Sequence, residues 1–382
     1  MKEKISDYIS RQTPLELLKK LISIDTRGPS GNEMDMIAFI IEYLQLGKSQ
    51  YEIIRHNGNR GSMIFTIPGE EKGKIILMGH MDTVPSGDST LWRTSPLSGK
   101  VSENRLYGSG ASDMKSGLAV LLITAKYLME YGGNKKNICF IFTADEECSC
   151  TGAKEIRKRK YTDDAQMILV AEPTDGNVAT AEKGVMWIKI EGTGKQAHGA
   201  MPHLGINANE CLWELISLLK KQLETAENLN QIGKATLSTT VFRGGENSNI
   251  VPGKAMTVLD IRTVHKNDHN EIKKCLENIV GEMKQKRRFE AMYEIANEKY
   301  PLENSSESLQ IRNLVNCSPE ESEIICIPYY TDLAELLREK SLTFAVLGPG
   351  SIDQMHKSNE WVALDKINTV TEHYINYILN YC

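Results

Sequence analysis

Long hydrophobic runs are missing from this 382-residue chain. The apolar stretch Gly117–Met129 is interrupted by Lys126, and no run approaches the roughly 20 residues that a membrane-spanning helix needs. No membrane association is expected. The N-terminal MKEKISDYIS carries charges but no apolar h-region, so the expectation is of no secretory signal. A basic excess is missing as well. With 45 Lys and Arg against 50 Asp and Glu the net charge is −5, which leaves no domain-wide positive surface for nucleic acid. The densest basic run, Lys284-Gln-Lys-Arg-Arg288, reads as the solvated end of a helix. Internal repeats and low-complexity linkers are absent. The eight cysteines are scattered at 139, 148, 150, 211, 275, 317, 326 and 382. In a long chain with no secretory signal they read as reduced thiols of a cytoplasmic protein.

What is present is material for a core. With 41% hydrophobic and 25% charged residues the chain reads as soluble and globular, and its length suits two domains. The first half alternates helix-like and strand-like segments, the pattern of an α/β layer architecture. Leu15–Ile24, Met34–Leu46 and Ser116–Tyr131 have helical period, while Ile75–Met78, Ile138–Phe142 and Met167–Val170 are short apolar runs of buried-strand type. From Gly184 the texture changes. The alternating strand near Met186–Gly192 precedes a helix at Asn207–Glu227, strands near Ala235–Phe242 and Met256–Arg262, a helix at Asp268–Lys286 and a strand near Arg288–Ile295. This β-α-β-β-α-β order is a ferredoxin-like signature. The α/β pattern resumes with Ile324–Ile327, a helix at Asp332–Lys340, Thr343–Leu347 and a final helix from Leu364. The expectation is a discontinuous larger domain, 1–183 and 298–382, with an inserted unit at 184–297.

Two nucleotide-site look-alikes fail on chemistry. Gly108-Ser-Gly-Ala-Ser-Asp113 has Asp113 where a dinucleotide loop needs its third glycine, and Lys115-Ser116 follows Met114 where a phosphate loop needs glycine. No H-E-x-x-H pair occurs. What remains is a set of histidine and carboxylate residues where strands end. His80 and Asp82 follow the Ile75–Met78 strand and, two residues apart in extended chain, project to the same side. Asp82 is thereby expected to accept a hydrogen bond from the ring nitrogen that a ligand leaves free. Asp113 lies in a Gly/Ser-rich turn before a helix. Asp145, Glu146 and Glu147 follow the Ile138–Phe142 strand, and Glu172 follows Met167–Val170. In open α/β sheets ligands bind beyond the carboxyl ends of strands. Acids converging there repel unless cations neutralise them, and mixed histidine and carboxylate ligands suit zinc or a similar ion.

The motifs GHMDTVP, LYGSGASDMKSG, TADEE, AEPT, GKQAHGAMPHLGINA, NSNIVPGKAMTVLDIR and GPGSIDQMHKSNE together resemble, in family order and over essentially the whole chain, the di-zinc deacylases and exopeptidases. That family contains acetylornithine deacetylase, succinyl-diaminopimelate desuccinylase, aminoacylase and glutamate carboxypeptidase. The resemblance implies a three-layer zinc-exopeptidase-like α/β catalytic domain with an inserted ferredoxin-like α+β lid and dimerisation domain. It implies two divalent ions, zinc with cobalt as a substitute. Asp113 would bridge them, His80 and Glu172 complete one, and Glu147 and His356 complete the other. Glu146 would be the general base, and the peptide bond after Asp113 would be cis. His198 resembles a lid histidine that reaches the neighbouring subunit of a homodimer. Arg262 resembles the family's arginine for a substrate α-carboxylate, Asn249 a lid residue beside it, and Thr331 and Gly348 fall where substrate contacts are expected.

The implied reaction is hydrolysis of the amide of an N-acyl amino acid; a di- or short-peptide exopeptidase of the same chemistry is the alternative. A non-catalytic binding protein on this fold is disfavoured because the five ligand positions and Glu146 are all present. Lys183 supports no substrate assignment, and His203 reads as structural. In Thr143-Ala-Asp-Glu-Glu-Cys-Ser-Cys150 the acids carry the chemistry, Asp145 orients the turn, and Cys148 and Cys150 are expected to be small, mostly buried packing residues.

Overall fold

The computed structural model describes residues 4–29, 31–225 and 232–382. The chain divides into two compact units, one of Met1–Thr180, Asn304–Ile325 and Thr331–Cys382, the other of Ala181–Glu303 and Cys326–Tyr330. The short piece 326–330, which the sequence pattern leaves with the larger domain, groups with the smaller unit.

In the larger unit a mixed sheet runs in the order Tyr51–Arg55, Gly61–Ile67, Asn137–Thr143, Lys74–His80, Ala165–Val170, Thr343–Val346 and Val178–Glu182, the last strand leading into the smaller unit. The strands from Asn137–Thr143 through Thr343–Val346 pair in parallel. Parallel strands are covered on both faces, which is why Ile75–Met78, Ile138–Phe142 and Met167–Val170 are continuous apolar runs. Each observed strand extends past its apolar run, to Lys74 and His80 in one case and Asn137 and Thr143 in another. Main-chain pairing goes on after side-chain hydrophobicity stops. The Tyr51–Arg55 and Gly61–Ile67 hairpin, antiparallel and joined through the Asn57-Gly58 turn, is an addition to the expected elements.

The helix Lys115–Tyr131 is buried along its first three turns on every side, from Lys115 to Ala125. It packs on the sheet and is covered by the helices Pro14–Ser23 and Leu364–Tyr381. The helix expected at Asp332–Lys340 is only Leu333–Leu336. Its buried residues end at Leu337, and Arg338, Glu339 and Lys340 are exposed, with no apolar face to pack.

The smaller unit is an antiparallel sheet in the order Thr236–Gly244, Lys254–Thr263, Gly184–Thr193 and Glu290–Lys299. Its helices are Ala208–Thr225 and Asp268–Arg287, so the chain order is β-α-β-β-α-β. Met186, Ile188, Ile190, Leu259 and Ile261 from the sheet share one cluster with Leu212, Leu215 and Leu219 of the first helix and Ile272 and Leu276 of the second. Both helices therefore cover one face, as strand alternation requires. Residues 226 and 227 of the expected first helix lie outside the described residues. Among the described residues no helix is long and apolar enough to cross a membrane.

His373, on the final helix, is 1% exposed and donates its Nε2 proton to the Leu314 carbonyl at 2.6 Å. Burial lowers its pKa below the ordinary histidine value, although the hydrogen bond to Leu314 opposes the shift. The unfolded chain therefore takes up this proton first as pH falls. The contribution to stability is intact above about pH 6.5 and is lost as pH falls through the lower folded-state value. Urea midpoints at pH 7 and pH 5 will drop less for His373→Gln, which retains a donor, than for the wild type.

Candidate active site

Parallel strands deliver their carboxyl ends to one edge, and here register aligns them. His80 pairs with Thr143, and Met78 pairs with Ile141 and Val170, while Val170 also pairs with Val346. His80, the turn Asp145–Glu147 and Glu172 thus leave the sheet together. Asp113 comes from the loop that precedes the Lys115–Tyr131 helix, and His356 from the loop before the short strand Trp361–Ala363.

These side chains meet. His80 Nε2 lies 3.1 Å from Asp113 Oδ1 and 3.3 Å from Glu172 Oε1. His356 Nε2 lies 3.3 Å from Asp113 Oδ2 and 3.0 Å from Glu147 Oε2. Asp113 therefore offers one oxygen to each imidazole and is shared by two triads. His80, Asp113 and Glu172 are buried, whereas His356 is half exposed.

The loops are held by main-chain hydrogen bonds to carboxylates. Glu360, which sequence reasoning passed over, is 3% exposed and accepts from the N–H groups of Gly110, Ser112 and Asp113 at 2.8, 2.7 and 2.9 Å. Burial pushes its pKa up to about 8 against the pull of those donors. The Asp113–Met114 peptide bond is cis. Lys115, the residue of the failed phosphate-loop motif, is buried and donates to the Ile24 carbonyl at 2.7 Å. Asp82 departs from expectation. His80 Nδ1 donates to the main-chain carbonyl of Asp82 at 2.9 Å, while the carboxylate stands 3.8 Å from that nitrogen. The carboxylate oxygens instead accept the N–H groups of Glu146 and Glu147, each at 3.2 Å. Extended spacing placed Asp82 on the right side, but two buried amides claimed its charge. Either acceptor holds the Nδ1 proton, so a cation that displaced the Nε2 proton would meet that nitrogen's lone pair.

The electrostatics are those of acids forced together. Burial pushes Glu172 up to about 8, with the Asp113 charge adding to it, and raises Glu147 for the same two reasons. Asp113 is lowered: burial opposes this, and hydrogen bonds from His356 and His80 prevail. The His356 imidazole is pushed up to about 11 by its hydrogen bonds to Asp113 and Glu147. Burial alone would lower His80, but Glu172 and Asp113 raise it well above the ordinary value. Among the described residues, two buried carboxylate oxygens of these triads, Glu147 Oε1 and Glu172 Oε2, have no hydrogen-bond partner. In each triad the ligating atoms lie within 4.8 Å of one another. Orphaned carboxyl oxygens beside imidazole nitrogens are the donor set of a hard-to-borderline divalent cation, so the residues fit a pair of such ions sharing Asp113.

Glu146 is buried, and burial first of all raises its carboxyl well above the ordinary value. It stands with Cys150 and Asp332 in a third group whose donor atoms lie within 4.8 Å. Asp332, also unforeseen, is buried and accepts from the Thr143 hydroxyl at 2.6 Å. The two cysteines separate. Cys150 is buried at φ 51°, with Sγ 3.5 Å from the Glu146 carbonyl, whereas Cys148 is exposed, against expectation, because the turn points it outward. Burial and the charges of Asp145 and Asp82 push the Cys148 thiol up, which keeps it protonated and a poor ligand.

The two further residues expected at substrate contacts, Thr331 and Gly348, are buried and bonded to neighbouring groups. Thr331 has no exposed surface, and its hydroxyl accepts the Leu333 N–H at 3.2 Å at the start of a short helix. Gly348 is buried, its N–H donating to Thr174 Oγ1 at 3.0 Å and its carbonyl accepting the Gly176 N–H at 2.9 Å. A Cβ at Gly348 would stand 2.3 Å from the Glu172 carbonyl oxygen, and one at Gly117 would stand 1.9 Å from that of Ala171. The main chain carrying Glu172 is clamped between two glycines, a close approach that no other residue permits. His198, Asn249 and Arg262 belong to the smaller unit. His198 is exposed and its Nδ1 accepts the Ala200 N–H at 3.1 Å. Asn249 is exposed, its carbonyl accepting the Gly199 N–H at 2.7 Å. Arg262 pairs with Asp260 on its own strand at 2.7 and 3.0 Å.

A family model described as peptidase family M20/M25/M40 matches residues 76–380. A protein from Staphylococcus epidermidis named "probable succinyl-diaminopimelate desuccinylase" is 26% identical over 406 residues, covering 97% of this chain and 96% of its own. An M20 family metallo-carboxypeptidase from Sulfolobus solfataricus superposes with a TM-score of 0.80 at 17% identity, over 97% of this chain and 99% of its own. A dinuclear metal binding peptidase of the M20 family from Bacillus subtilis gives 0.70 at 14% identity, over 98% of each chain. At these identities the structural likeness speaks to the fold.

Gly348→Ala will displace the Glu172 main chain and weaken divalent-ion binding about 10- to 100-fold, the usual cost of disturbing the support of a ligand. Competition against a coloured chelator measures it.

Proposed function

We propose that this chain, which belongs to peptidase family M20/M25/M40, is a metal-dependent amidohydrolase that cleaves the amide bond of an N-acyl amino acid. The observation that carries this reading is the pair of triads sharing Asp113, each with a buried carboxylate oxygen that has no hydrogen-bond partner. In it, His80, Asp113 and Glu172 hold one divalent cation, and Asp113, Glu147 and His356 hold the other. Zinc is the expected ion and cobalt a substitute. When bound, such a pair lowers the pKa of a water molecule and polarises the scissile carbonyl.

The protein's own part is proton transfer and orientation. Glu146 accepts the water proton and delivers it to the leaving amine nitrogen, a task that suits a carboxyl whose burial favours the protonated form. Asp82 keeps Glu146 and Glu147 in place through their main-chain N–H groups. His198 donates to the developing oxyanion from the neighbouring copy of a homodimer built through the smaller unit. Arg262 receives the substrate α-carboxylate in place of Asp260, with Asn249 as a polar contact beside it.

The Staphylococcus relative named for desuccinylation supports an acyl substrate. The description of the matching family as a peptidase family supports a second reading, hydrolysis of short peptides by the same groups, because a dipeptide is itself an N-acyl amino acid.

A panel of N-acetyl-ornithine, N-acetyl-lysine, N-succinyl-diaminopimelate and simple dipeptides, assayed with zinc or cobalt, separates the two. Hydrolysis will vanish with chelator and return with metal. Glu146→Ala will lower kcat by about 10²- to 10⁴-fold while still binding both ions. Asp113→Asn will lower the ion stoichiometry itself. Undiminished turnover by Glu146→Ala overturns the assignment.

A further inference from the structure

Beneath the acids of the candidate site lies a guanidinium that the proposed chemistry does not use. Arg60 ends the turn between Tyr51–Arg55 and Gly61–Ile67, and its side chain is 13% exposed. Nε and Nη2 donate to Glu33, at 3.0 Å and 2.6 Å to Oε1. Nη1 donates to Asp145 Oδ1 at 2.5 Å, and Nη2 stands 3.8 Å from Asp82 Oδ2. The Glu33 and Asp82 side chains are fully buried and Asp145 nearly so.

Two of these carboxylates grip the turn that bears Glu146 and Glu147. Asp145 sits at φ 67°, and its carbonyl accepts the N–H groups of Ser149 and Cys150. Its second carboxylate oxygen accepts the Thr151 hydroxyl. Asp82 accepts the N–H groups of Glu146 and Glu147. Arg60 therefore ties Asp145, the first residue of the turn, to Asp82, which accepts the amides of the next two, and Glu33 anchors the guanidinium as well. Its charge also offsets carboxylates that would otherwise push Asp82 and Asp145 apart.

We infer that Arg60 is a positioning residue for Glu146 and Glu147, one planar cation whose fork sets where the proton carrier and the neighbouring ligand stand. The inference rests on the proposed roles of those two glutamates. Lysine is a poor substitute, because one ammonium cannot serve Glu33 side-on and reach Asp145 at once.

Full-length Arg60→Met, Arg60→Lys, Asp145→Asn and the Arg60→Met/Asp145→Asn double variant test it. In each, turnover is normalised to folded, ion-loaded molecules. Arg60→Met is expected to lose about 10- to 100-fold in kcat with KM near wild type. Arg60→Lys should recover part of the loss, and the double variant should be no worse than Arg60→Met, because both remove one linkage. A bystander brace would lower the melting temperature and leave kcat per folded molecule unchanged, or give losses that add; either result overturns the inference. A readout independent of catalysis is hydrogen exchange of the metal-free protein. Amides of 145–150 should exchange faster in Arg60→Met while strand Lys74–His80 keeps its protection; unchanged exchange at 145–150 overturns it too. If the wild type hydrolyses nothing in the panel, the function fails, and the exchange result still decides the role of Arg60.

Discussion

Asp113 presents one oxygen to each of two imidazoles, and the surrounding structure follows from holding that carboxylate still among like charges. Acids brought this close and buried this deeply repel, and burial raises the pKa of Glu147 and Glu172. Such an arrangement persists only if its main chain is over-determined. Glu360 supplies this for the Asp113 loop by collecting three amide hydrogens. Gly117 and Gly348 supply it for Glu172 by letting a helix and a loop close on the strand end. Asp82 supplies it for the paired glutamates.

The sheet makes this economical. Parallel strands with matched register bring three separate sequence segments to one edge, each arriving on a strand that is buried on both faces. Rigid elements locate ligands better than loops do, and Asp113, which comes from a loop, has its main chain fixed by the Glu360 carboxylate. The smaller unit follows a different logic. Its antiparallel sheet buries one face under two helices, and the groups assigned to substrate contact lie on its exposed or half-exposed positions.

Much of this was legible in the sequence because it rests on local pattern. Apolar runs marked the strands, and acids or histidines just beyond them marked the edge. What escaped was set by partners remote in sequence. Glu360 closes the motif GPGSIDQMHKSNE, yet nothing local marks it as the acceptor of the Gly110, Ser112 and Asp113 amides. Thr331 and Gly348 carry hydrogen bonds that no local pattern announces, and Cys148 looked buried but turns outward. The Asp82 carboxylate had an imidazole within two residues and bonded to amides more than sixty residues away.

By itself, the sequence determined the alternation of helices and strands, the β-α-β-β-α-β order of the second unit and which side chains carry charge where strands end, since these depend on periodicity and residue type. Only the tertiary structure decided which acids are spent on holding backbone, and that Arg60 sits under the Glu146–Glu147 turn. The reason is physical. A carboxylate within reach of several donors goes to the ones that burial leaves with no water, and burial is a property of the whole fold.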